Sequence, residues 1–166
     1  MDKYFTILLI FFSVFGYSQT ALKYLDIALG KVESENYIES IQLFNKSISL
    51  DSSNADAYVG RGHAKQMLGD NRGALQDANK AVKIDPRSVG AYIGIAIAKQ
   101  ELGDYKGAMQ NYNMIIELDP TNAKIYVSRG FLKMMLGNID AGCLDLSKAG
   151  ELGTERAYEL IREYCN

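Results

Sequence analysis

Apolar and small side chains recur along this chain at the spacing of helices, and the pattern they make is itself repeated. The stretch LGDNRGALQDANKAVKIDP, from Leu68 to Pro86, returns 34 residues later as LGDYKGAMQNYNMIIELDP, from Leu102 to Pro120. Aligned on that period, the sequence divides into four units, 21–54, 55–88, 89–122 and 123–156, followed by a remnant, 157–166. In units two to four, position 4 is Tyr58, Tyr92 and Tyr126, and position 8 is Gly62, Ala96 and Gly130. Position 20 is Ala74, Ala108 and Gly142, and position 27 is Ala81, Ile115 and Ala149. Small residues on two successive amphipathic segments let the helix axes approach closely. Between the segments, Leu-Gly followed by Asp70, Asp104 or Asn138 stops one helix with a glycine and caps the next with a short acceptor side chain. Asp85-Pro86 and Asp119-Pro120 then end the second helix, because the residue before proline is pushed out of the helical region. Each unit is therefore predicted to be an antiparallel helix pair that buries its apolar stripe only when a neighbour stacks on it.

This pattern resembles the tetratricopeptide repeat (TPR), with an aromatic at 4, small residues at 8 and 20, an aromatic at 24, Ala at 27 and Pro at 32. Unit three is the nearest match, with Tyr92, Ala96, Tyr105, Ala108, Tyr112 and Pro120. Unit one keeps Ala28, Tyr37 and Phe44 but has Ser40, Ser47 and Ser52 where the family prefers Ala, Ala and Pro. The resemblance implies an all-α fold: a right-handed α-solenoid of about four TPR helix-turn-helix repeats plus a C-terminal capping helix. The repeats are placed at 19–54, 55–88, 89–122 and 123–156, with the cap over 157–166. A terminal repeat exposes an apolar face. Ala157, Leu160 and Ile161 are expected to cover it while Glu155, Arg156, Glu159, Arg162 and Glu163 meet water.

Two charges change together along the repeats. Position 7 is Ile27, Arg61, Ile95 and Arg129, and position 23 is Leu43, Asp77, Asn111 and Asp145. A lone buried charge is heavily penalised, so partly buried Arg61–Asp77 and Arg129–Asp145 ion pairs are predicted. The alternative use of these arginines is to bind an anionic ligand. Two cysteines, Cys143 and Cys165, stand in an ending that resembles that of exported bacterial TPR proteins, which implies a disulfide; two buried free thiols are the alternative.

The first residues bear on location. Lys3, an apolar run from Tyr4 to Phe15, and small residues at Gly16 and Ser18 describe a secretory signal peptide, 1–18, cleaved after Ser18. The run is short of the roughly 20 apolar residues that a spanning helix needs. No membrane insertion is expected after cleavage, a retained anchor being the alternative. The mature chain is expected in the periplasm or secreted. A formal net charge of -2, with no Lys-Arg cluster, offers nothing to attract nucleic acid.

Catalytic chemistry finds no foothold. His63 is the single histidine, so no His pair can hold a metal, and no nucleophile-elbow or phosphate-loop motif occurs. No enzyme, cofactor or metal is expected. What remains is a surface. In the family, positions 2, 5, 9, 12 and 13 tend to face a concave groove, which gives Val59, His63, Gln66 and Met67, then Ile93, Ile97, Gln100 and Glu101. The last unit adds Lys124, Val127, Phe131, Met134 and Met135. The Lys, Arg and Asn set with which some TPR proteins grip a C-terminal carboxylate is missing. An apolar, methionine-rich lining suits an apolar or amphipathic segment of a protein partner. Burial of Phe131, Met134 and Met135 under the capping helix is the competing use of those residues. At the level of the whole chain, the alternative is a structural module that forms homo-oligomers.

Overall fold

The computed structural model describes the backbone of residues 3–165 and the side chains of 18–165. The expected signal segment, 1–18, therefore lies almost wholly outside the described side chains. The described residues form nine helices and no strand: α1 (Lys3–Glu33), α2 (Tyr37–Leu50), α3 (Ala55–Met67), α4 (Asn71–Ile84), α5 (Val89–Glu101), α6 (Tyr105–Leu118), α7 (Ala123–Met135), α8 (Ile139–Glu151) and α9 (Glu155–Tyr164). Helices α3, α5 and α7 begin at the first residue of a 34-residue unit. The last helix starts earlier than the remnant 157–166, because Thr154 stands at its N-cap.

The punctuation between helices works through local hydrogen bonding. The carboxylates of Asp70 and Asp104 accept the backbone N–H of Gly73 and Gly107, and Asn54 and Asn138 do the same for Ala57 and Ala141. At Asp104 the Gly107 N–H is the main influence holding the carboxyl below the usual aspartate range. The reversal after α3, α5 and α7 needs a left-handed residue, and Gly69, Gly103 and Gly137 supply it with φ of 82°, 82° and 84°. The first unit has no glycine there, and Glu35 takes the same conformation at φ 59°.

Two compact units are present, Met1–Gly94 and Ile95–Asn166, with the boundary inside α5. In the first, Phe44 is fully buried among Leu25, Ala28 and Ala57, and a second cluster joins Tyr58, Ala81 and Ala91. Its two unusual serines are both buried and both bonded. Ser40 Oγ donates to the Tyr37 carbonyl at 2.8 Å, and Ser47 Oγ donates to the Ala21 carbonyl at 2.9 Å, tying α2 to α1. The divergent first repeat thus replaces alanine packing with a satisfied buried hydrogen bond.

In the second unit, Tyr126 of α7 packs with Ala149 and Ala157, bringing α8 and α9 onto one cluster. Helices α7 and α8 cross where both carry glycine: a Cβ on Gly142 would stand 2.7 Å from the Gly130 carbonyl oxygen. Gly142→Ala is therefore expected to destabilise, although alanine is the better helix former by about 1 kcal/mol. Gly30, in α1, has nothing within 4 Å of an added Cβ, so Gly30→Ala should stabilise by about 0.5–1 kcal/mol. Urea denaturation followed by far-ultraviolet circular dichroism reads both, and a stabilising Gly142→Ala would show that the α7–α8 crossing tolerates a methyl.

Candidate binding surface

The predicted ion pairs are built as small networks. In the first unit, Arg61 donates from Nε and Nη2 to the two Asp77 oxygens at 2.9 and 2.6 Å. Lys65 Nζ stands 2.8 Å from the same carboxylate, and Arg61 Nη1 donates to Asn45 Oδ1 at 2.6 Å. The guanidinium also lies over the Tyr58 ring, 5.4 Å from its centroid. The second unit repeats every part. Arg129 reaches Asp145 at 2.8 and 2.7 Å, Lys133 is 2.8 Å from Asp145, Asn113 accepts from Arg129 at 2.7 Å, and Tyr126 lies beneath at 5.5 Å. Both aspartates are buried and bidentate, a geometry that spends the arginines' hydrogen-bonding fork within the fold.

The face of the first helices is apolar but not uniformly free. In the first unit, Val59 packs on the Tyr58–Ala81–Ala91 cluster, while His63 and Met67 are exposed and Gln66 and Ile93 are half-buried. In the second, Val127 packs on the Tyr126 cluster and Gln100 Oε1 accepts from the Tyr112 hydroxyl at 3.3 Å. Burial is the leading cause that raises the Tyr112 phenol above its ordinary pKa. Ile97, Phe131 and Met134 are half-buried, and Met135 is 63% exposed.

Part of this face closes into a pocket. Phe131, Met134 and Met135 of α7, Ile139 at the start of α8 and Tyr164 at the end of α9 line a cavity of about 390 Å3. Phe131 and Tyr164 meet edge to face, with ring centroids 5.8 Å apart. Hydrogen bonding to Glu163 is the leading cause that raises the Tyr164 phenol above its ordinary pKa. The capping helix therefore neither buries these α7 residues fully nor leaves them open; it adds one wall. Next to that wall, Cys165 is bonded to Cys143 of α8, with Cα atoms 5.8 Å apart.

A family model described as "Tetratricopeptide repeat" matches residues 55–88, and another described as "TPR repeat" matches residues 100–137. The chain contains tetratricopeptide repeats. Solved TPR proteins share the fold. "Crystal structure of MamA" superposes with a TM-score of 0.76 at 21% identity, covering 84% of this chain and 81% of that one. The Arabidopsis OM64 TPR domain gives 0.70 at 24%, covering 72% and 98%. The first TPR of Spaghetti (RPAP3), bound to the HSP90 peptide SRMEEVD, gives 0.70 at 24%, covering 72% and 95%. Among curated proteins, none matches the sequence.

Within the TPR units, pattern reasoning found the Arg and Asp of each network but missed Asn45 and Asn113, Lys65 and Lys133. Each of these pairs is separated by two repeat lengths, as are Arg61 and Arg129. A search at double the period would have found them, together with the alternation of Phe44 and Tyr112 with Ala78 and Leu146 at position 24.

Proposed function

We propose that this chain is a non-catalytic interaction module that holds an apolar or amphipathic segment of a protein partner against the first helices of its TPR units. TPR repeats generally serve as protein-binding modules, and the observation that carries the more specific reading is the 390 Å3 pocket of the second unit. Its walls are an aromatic pair, two methionines and an isoleucine, a lining that accepts a large apolar side chain and adapts to its shape. The partner of RPAP3 is the acidic peptide SRMEEVD. Here the first helices of the second unit present Ile97, Phe131 and Met134 and lack the Lys, Arg and Asn set that grips a C-terminal carboxylate, so an apolar partner segment is the better fit. Export through a signal peptide 1–18, and service as an adaptor in an envelope assembly, complete the proposal; the features that support them are the amino-terminal apolar run and the paired cysteines.

Partner capture with the wild-type chain beside Met134→Glu, and beside Ile93→Glu with Ile97→Glu, tests this. A segment anchored in the pocket should lose at least about tenfold in affinity on Met134→Glu, the equivalent of burying an unpaired carboxylate against apolar walls. Equal capture by all three proteins would remove the surface from consideration.

Self-association is the second reading. Leu144 of α8 is 72% exposed and Tyr158 of α9 is 52% exposed, leaving apolar side chains in solvent on the last two helices. Light scattering at increasing concentration separates the two readings, since a monomer at every concentration leaves only the first.

A further inference from the structure

The second half of α9 is held differently from the first. Ala157 and Leu160 are its buried residues, and beyond them Ile161 and Cys165 are half-buried while Arg162, Glu163 and Tyr164 are exposed. A helix of 10 residues is below the length at which helices persist alone, and helix ends open with little cost. Yet Tyr164, in this last turn, supplies the one pocket wall that comes from α9. It is adjacent in sequence to Cys165, whose bond to Cys143 ties the turn to α8. Both cysteines are half-buried rather than enclosed.

We propose that the Cys143–Cys165 bond is a redox latch for this pocket: oxidised, it holds Tyr164 against Phe131 and the cavity is closed on that side; reduced, the last turn of α9 frays and the wall is lost. The chemistry is thiol–disulfide exchange with a dithiol donor. One donor thiolate attacks a bridge sulfur, forming a mixed disulfide and releasing the other cysteine as thiolate. The second donor thiol then displaces the remaining cysteine, so the donor leaves as a disulfide and its two protons end on Cys143 and Cys165. Two electrons pass from the donor to the bridge. The buried contacts of Ala157 and Leu160 are untouched by the step, so the first half of α9 and the α7–α8 crossing stay folded. As a control on docking, the latch rests on the binding reading above; as a change in structure it does not.

Hydrogen exchange on the full chain, oxidised and after dithiothreitol, reads the latch directly. The amide of Cys165 donates to the Ile161 carbonyl at 2.9 Å, and its protection should fall at least about tenfold on reduction, as for a fraying terminus. Amides of α7 and α8 should not change. Cys143→Ser with Cys165→Ser should reproduce the reduced state without reductant. Because the chain has no tryptophan, Tyr164→Trp adds a single reporter whose emission should shift to the red and become more open to acrylamide on reduction. Unchanged exchange at residues 161–165, or loss of protection throughout α7 and α8, would overturn the latch, the first showing that packing alone holds the wall and the second that the bridge holds the whole unit. Loss of partner capture on Met134→Glu reports the docking site whatever these amides do, so the two proposals fail separately.

Discussion

Asp77→Ala is expected to cost about 3 kcal/mol of folding stability, the lower end of the penalty for removing one side of a buried ion pair. The carboxylate is the shared anion of Arg61 and Lys65, and its side chain is 6% exposed. Alanine would leave two cations side by side with their partner gone. The loss is placed at the lower end because the cations reach water, Arg61 at 17% and Lys65 at 22% side-chain exposure. Asp145→Ala should cost a similar amount, since Arg129 and Lys133 reproduce the same arrangement in the second unit. Urea denaturation measures both. A cycle with Arg61→Met should show strong coupling, with the double variant more stable than the two single losses predict. Additive losses would mean that the network's bonds are not energetically joined.

Phe44→Ala should cost as much or more, about 3–5 kcal/mol, because a fully buried aromatic leaves both lost transfer energy and a cavity. The ring has 0% exposure and lies over Gly60 so closely that an added Cβ would overlap it. Gly60→Ala alone should therefore destabilise, against the usual gain from replacing a helical glycine. In the Phe44→Ala background the same methyl enters vacated space, so its effect should turn neutral or favourable. If Gly60→Ala behaves identically in both backgrounds, the ring does not constrain α3. The equivalent place in the second unit holds Tyr112, 3% exposed, whose hydroxyl has Ser128 beside it. A buried aromatic on the second helix, with an arginine network alongside, thus stands at the joint between consecutive helix pairs in each compact unit.

The helices and their spacing were legible in the residues alone. A 34-residue recurrence of small residues, Leu-Gly stops and short acceptor caps is enough to place α3, α5 and α7, because capping and helix termination act over a few residues of chain. The covariation of Arg61 with Asp77 and of Arg129 with Asp145 was legible too, since a buried charge demands a partner and the repeat register says where to look. Three features lie outside what a single-repeat register shows. Val59 and Val127 stand at groove positions of the repeat and are also half-buried against the tyrosine clusters, because the same helix face serves both neighbour and solvent and only the neighbour's position divides it. Asn45 and Asn113 joined the arginines from the preceding helix pair, a contact across repeats that a single-repeat register does not show. The pocket brings Phe131 and Ile139 together with Tyr164, near the end of the chain, and its wall is set by where a short helix is tied down. Local rules write the helices; the meeting of side chains from α7, α8 and α9 depends on packing distances that no pattern of residues along the chain contains.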